Sequence, residues 1–135
     1  MSSSRKKPVV PLQEKFMAMI DRWPRVWAFE EAKDKKAGKA LVELLRPFIV
    51  HLCEQDLSPK TKRQHLYNTW LIGGEIIRDV QYYPEHRRWS ARRMLNEAIM
   101  EGEAPLCRHV DEAGQRSLDS TAKKICKFLA SQDQA

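Results

Sequence analysis

The chain has 135 residues, 42% of them hydrophobic and 31% charged, and carries a formal net charge of +6. That length fits one domain able to bury a core, and the apolar share excludes a chain disordered throughout. The longest uncharged apolar run, Phe48 to Leu52, includes His51 and excludes a membrane span of ~20 residues, while the basic start Arg5-Lys6-Lys7 lacks the apolar stretch of a signal peptide, so the expected compartment is the cytoplasm.

Residues 1–10 read as a disordered basic arm, and residues 11–135 as a single helical domain. Pro11 stands at an expected first helical position, followed by Leu12, Phe16, Met19 and Ile20 at helical spacing, and Pro24 is expected to end that helix. An aromatic stretch, Val26-Trp27-Ala28-Phe29, then leads into Glu30 to Lys39, an exposed turn of helix or a loop.

From Gly38 onward, Leu41, Leu44, Leu45, Phe48, Leu52 and Cys53 build one apolar stripe. Pro47 within it predicts a kink or a break near Arg46, because an interior proline costs a helix about 3 kcal/mol. In Leu57-Ser58-Pro59-Lys60-Thr61, Ser58 is a capping residue and Pro59 fits the first helical position. The helix they open carries Leu66, Trp70, Gly73, Ile77 and Val80 on one face and is expected to end near Gln81. Gly73 and Gly74, which weaken a helix interior, should mark a close helix contact.

Ser90 caps a further expected helix through Met94, Leu95, Ala98 and Ile99 to Gly102, with a basic first turn that opposes the helix dipole. Residues 103–116 read as loop with a short helical turn around Leu106 to Val110. Ser117 to Ser131 reads as an amphipathic helix, with Leu118, Ala122, Ile125, Phe128 and Leu129 opposite Lys123, Lys124 and Lys127. No segment alternates with period two, and neither a hairpin signal nor a long repeat is present. The predicted fold is all-α, a single bundle of about five to six helices.

The charge is unevenly spread. Residues 58–93 hold eight bases against three acids, whereas residues 11–57 balance eight against eight and residues 94–135 hold five bases against seven acids. The concentrated bases are Lys60, Lys62, Arg63, Arg78, Arg87, Arg88, Arg92 and Arg93, the usual electrostatic footprint of a polyanion-binding surface. At 100° per residue, Lys60, Arg63, Tyr67, Gly74 and Arg78 share a stripe beside the apolar face. Ser58, Thr61 and the free N–H groups of the helix start add donors suited to phosphate oxygens. Against this stands the plainer reading of a capped helix with a solvated basic face.

The apolar helix ahead of Leu57-Ser58-Pro59-Lys60-Thr61-Lys62-Arg63, and the long amphipathic helix after it, resemble the N-terminal core-binding (SAM-like) domain of phage integrases and other tyrosine recombinases. Ser120-Thr121-Ala122-Lys123-Lys124-Ile125 through Phe128 is similar to that family's closing helix. The resemblance spans residues 40 to 130 and implies a helical clamp on duplex DNA, with Lys60, Thr61, Lys62 and Arg63 as the DNA-facing turn. The family's catalytic set is missing: His86-Arg87-Arg88-Trp89 has tryptophan where a second arginine would stand, and no tyrosine follows Tyr83. The resemblance therefore implies binding without strand cleavage.

Other chemistry is sparse. The odd cysteine count, Cys53, Cys107 and Cys126 with no C-x-x-C pair, argues against a disulfide framework or a four-cysteine zinc site and leaves them as buried free thiols. Cys107, His109 and Asp111 offer three metal ligands without a fourth. His86 near Tyr82, Tyr83 and Glu85 offers an acid/base cluster or simply an exposed loop. No Gly-rich phosphate loop is present, and no cofactor is expected. Trp23, Trp27, Trp70 and Trp89 read as core or interface more readily than as base-stacking platforms.

Two functions follow as expectations. One is a non-catalytic domain binding duplex DNA through Lys60, Thr61, Lys62, Arg63, Tyr67, Arg78, Arg87, Arg88, Arg92 and Arg93. The other is a small helical adaptor that binds a protein partner, or itself, through an apolar surface around Trp23, Trp27 and Phe29. An enzyme is disfavoured, because no nucleophile, base or metal set stands out.

Overall fold

A computed structural model describes residues 11–28, 34–107 and 109–134. The expected N-terminal arm, Phe29 and the first part of the Glu30–Lys39 segment lie outside them. Among the described residues there are six α-helices, two short 3-10 turns and no strand, so the all-α bundle is observed. Among the described residues, no helix is long and apolar enough to cross a membrane.

Helix α1 (Leu12–Ile20) buries Phe16 and Ile20. Pro11 is its cap rather than its first residue, since its backbone is extended at ψ 143°. Pro24 does not end this helix: the chain turns at Asp21 and Arg22, and Pro24 is the second residue of α2 (Trp23–Ala28), where a missing N–H costs no helical bond.

Helix α3 (Asp34–Glu54) begins four residues ahead of Gly38 and runs through Pro47 without the expected break. Pro47 is on the exposed side, while Leu45, Phe48, Ile49 and Leu52 pack both halves into the core. Arg46 fastens α3 to the end of α1, reaching Asp21 at 2.8 Å and its own-helix neighbour Glu43 at 2.8 Å. The Arg46 guanidinium holds the Glu43 carboxyl below its usual range, chiefly through that hydrogen bond.

Helix α4 (Pro59–Tyr82) starts as the sequence indicates. The Thr61 N–H donates to Ser58 Oγ at 3.1 Å, and Pro59 takes the first helical position. Gly73 does mark a close approach, because a Cβ there would collide with the Trp27 ring; the same ring lies in ordinary contact range, 3.5 Å, of a Cβ at Gly74. The Trp27 indole N–H donates to the Trp70 carbonyl at 3.1 Å, so one side chain locks α2 across α4.

A 3-10 turn (Pro84–Arg88) leads to α5 (Ala91–Ala98), capped by Ser90 accepting from the Arg93 N–H at 3.1 Å. A second 3-10 turn (Met100–Gly102) closes that segment, with Gly102 at φ 77°, a left-handed conformation that glycine adopts without a Cβ penalty.

Helix α6 (Glu112–Asp133) starts five residues before the expected Ser117. Asp111 supplies the cap, accepting from the Gly114 N–H at 2.8 Å. Gln115 reaches back over the preceding coil, accepting from the Cys107 N–H and donating to the Pro105 carbonyl. The turn expected around Leu106 to Val110 is coil with one turn residue at His109, Arg108 lying outside the described residues.

All six helices contribute to one apolar core, from Phe16 and Trp23 through Leu45, Ile77 and Leu95 to Ile125. Between α4 and α6 the seam is polar: Asn68 donates to Ser117 Oγ at 2.9 Å and to Thr121 Oγ1 at 3.0 Å, and His65 Nδ1 lies 2.7 Å from that same hydroxyl. Burial, followed by the charge of Lys124, pushes the His65 pKa below its ordinary value. The three cysteines are free but only half-buried, not buried as expected, and burial raises the thiol pKa of Cys53 and Cys107.

Candidate functional site

The ten predicted DNA-contacting residues divide by what their side chains do. Lys60, Arg63, Tyr67 and Arg78 lie on the outward side of α4 and are exposed. At 1.5 Å per residue, the eighteen steps from Lys60 to Arg78 extend about 27 Å along the helix. Arg78 is within 3.7 Å of Glu75 on the next turn, a solvent-screened pair of little strength. Arg88 is also exposed, on the 3-10 turn beyond α4.

The other members are engaged within the fold. Lys62 turns away from the stripe and donates to the Cys53 carbonyl at 2.6 Å, satisfying an orphan acceptor at the end of α3. Arg87 pairs at 2.8 Å with Asp34, which is fully buried at the start of α3. Arg92 grips Asp133 near the end of α6 with two hydrogen bonds, at 3.2 and 2.6 Å. Thr61 shares a hydroxyl contact of 2.9 Å with Ser58.

Arg93 lies 4.1 Å above the Trp89 ring, a cation–π arrangement. The other side of this group is a ring stack: Trp89 and His86 are 3.9 Å apart at 18°, and His86 and Tyr83 are 5.2 Å apart at 27°. His86 is thus a stacking element among Tyr83, Trp89 and Arg93. The other proposed chemical cluster is also dispersed, since Asp111 is occupied as the α6 cap. Among the described residues, no three His, Cys, Asp or Glu side chains are grouped closely enough to hold a metal ion.

The adaptor surface expected around Trp23 and Trp27 requires correction. Both rings are buried, 5.4 Å apart, because α2 is a helix that turns them into the core; Phe29 lies outside the described residues. A different apolar surface is present beside them. Helices α1, α2 and α4 enclose a groove of about 450 Å³. One wall is set by Leu12, Phe16, Met19, Trp23 and Val26; the other is set by Leu66, Tyr67 and Trp70. Lys15, Arg22 and Arg63 complete the lining, and among the described residues no acidic one belongs to it.

Both walls repeat at three- and four-residue steps, and the first continues across the turn at Asp21 and Arg22. That phase was visible in the sequence from Leu12 to Val26, with Lys15 and Arg22 riding on it, but the helix end expected at Pro24 concealed its continuity. No family model, curated protein or solved structure matches this chain.

Proposed function

We propose that the protein is a non-catalytic helical domain that binds duplex DNA through its phosphates. The observation that carries this reading is the exposed bases of α4, Lys60 and Arg63 with Tyr67 on one side of the α2 crossing at Trp70 to Gly74 and Arg78 on the other. Lys60 and Arg78 are about 27 Å apart along the helix, so the two groups would meet separate phosphates, which occur once per ~1.7 Å of duplex axis when both strands are counted. Lys15 and Arg22, which share the groove with Arg63, extend positive charge toward α1 and α2. The resemblance to a recombinase core-binding domain, centred on Leu57 to Arg63, supports the same reading and belongs to the proposal.

The contacting set is narrower than the local charge count indicates. Lys60, Arg63, Tyr67, Arg78 and Arg88 remain the principal contacts, with Arg93 presented from its stack on Trp89. Lys62, Arg87 and Arg92 have structural duties that a phosphate would have to displace. No base-reading element is assigned, so the binding is governed by charge and is largely indifferent to sequence.

The test is fluorescence anisotropy with a random duplex, a single strand and heparin at several salt concentrations. Micromolar duplex binding is expected, with log K falling by about 0.9 per phosphate contact for each unit of log salt. Lys60→Ala with Arg63→Ala should weaken binding and flatten the slope. A flat salt response overturns the reading, and heparin bound as well as duplex reduces it to generic charge.

A second reading, an adaptor that binds another protein, is favoured by the groove between α1, α2 and α4, whose lining combines apolar side chains with three cations.

A further inference from the structure

We propose that the groove between α1, α2 and α4 receives an amphipathic helix from a partner protein, with an apolar stripe flanked by acidic residues. This inference rests on the adaptor reading and supplies the chemistry of its partner. Three observations define that chemistry.

The first is shape. Two walls, Leu12 to Val26 on α1 and α2 and Arg63 to Trp70 on α4, present side chains at three- and four-residue intervals, the spacing into which the apolar stripe of an incoming helix packs. The second is exposure at the lips. Met19, Val26 and Tyr67 remain 50%, 46% and 48% exposed, although Phe16, Trp23 and Leu66 beneath them are buried. A pocket for a small molecule surrounds most of its ligand; a floor that is already packed beneath half-exposed lips instead calls for a broad occupant that covers the lips.

The third observation is charge. Lys15 and Arg22 come from one wall and Arg63 from the other, with no carboxylate in the lining among the described residues. Acidic side chains flanking the partner's apolar stripe would meet cations on both sides. A second copy of this chain fits poorly, because its net charge is +6. The chain's own first ten residues fit poorly too, since they carry Arg5, Lys6 and Lys7 and no acid.

The experiment uses the full chain and three designed peptides free of aromatic residues. The first has leucines at i, i+3, i+4 and i+7 flanked by glutamates, the second replaces the glutamates with lysines, and the third scrambles the acidic sequence so that no face is apolar. Trp23 and Trp70 line the groove, so their emission reports occupancy without a label. The acidic helix is expected to bind at micromolar concentration, at least tenfold more tightly than either control. Met19→Asp and Arg63→Glu, both at exposed positions, should each weaken it at least tenfold while far-ultraviolet circular dichroism stays unchanged; Arg88→Glu should have no effect.

Binding of the basic peptide in place of the acidic one would overturn the inference while leaving the adaptor reading intact. Equal binding of the scrambled peptide, or failure of all three, overturns it as well. So does a dimer in sedimentation that Met19→Asp dissociates, which would assign the groove to a second copy. Dodecanoate shifting the tryptophan emission where the acidic helix does not would assign it to a small amphiphile.

Discussion

Gly73 and Gly74 are adjacent, yet the Trp27 ring gives them opposite roles. At Gly73 a methyl group would occupy the space of the indole, whereas at Gly74 it would meet the ring at 3.5 Å. Gly73→Ala is therefore expected to cost about 1–3 kcal/mol through overpacking despite the better helix propensity of alanine. Gly74→Ala should be neutral or stabilising by up to about 1 kcal/mol. Urea denaturation of the two variants checks both signs, and equal effects would show that the ring does not rest on Gly73. The His65 imidazole provides a second test at this scale. Its folded pKa lies below its ordinary value, so between the two the unfolded chain binds more protons. Its contribution to stability is complete above about pH 6.5 and declines as pH falls from there through the folded pKa. Subtracting a His65→Gln denaturation profile from that of the parent should give this dependence; a flat difference would remove it.

At the scale of helices, the starts marked by a local cap were legible. Ser58-Pro59 and Ser90 mark α4 and α5 because a hydroxyl that accepts from an N–H three residues ahead is a local device, written in adjacent residues. The start of α6 was missed because Asp111 lies in a polar segment and Gln115 secures that segment by reaching eight to ten residues backward. Pro47 also misled, because propensity measures a local loss while the core packs residues on both sides of it. Its ring leaves the Glu43 carbonyl without an intrahelical donor on an exposed side of α3. Pro47→Ala is expected to raise stability by about 1–3 kcal/mol, read as a higher midpoint in thermal or chemical unfolding. An unchanged or lower midpoint would mean that the proline relieves strain elsewhere in α3.

Across the whole molecule, the class of fold was readable because apolar residues recur at helical spacing in nearly every segment. The candidate site was readable only in part. A local count of bases cannot tell that Arg87 is assigned to Asp34, 53 residues earlier, or Arg92 to Asp133, 41 residues later. The Arg87–Asp34 pair joins the turn after α4 to the start of α3, and Asp34 Oδ2 finds no hydrogen-bond partner among the described residues. Arg87→Met should therefore leave a buried carboxylate without its cation and destabilise the fold by about 3–5 kcal/mol. Restoring much of that loss with Asp34→Asn in the same chain would identify the stranded charge as its source; an additive loss would place the role of Arg87 elsewhere. The same long-range economy gives Trp27 a further consequence. Its indole proton is held by the Trp70 carbonyl, and its ring is seated on Gly73, so exchange of that proton requires the bond between α2 and α4 to open. The hydrogen-exchange rate of this single proton is thus a clock for the partial opening of one layer, separable from the unfolding of the remaining helices.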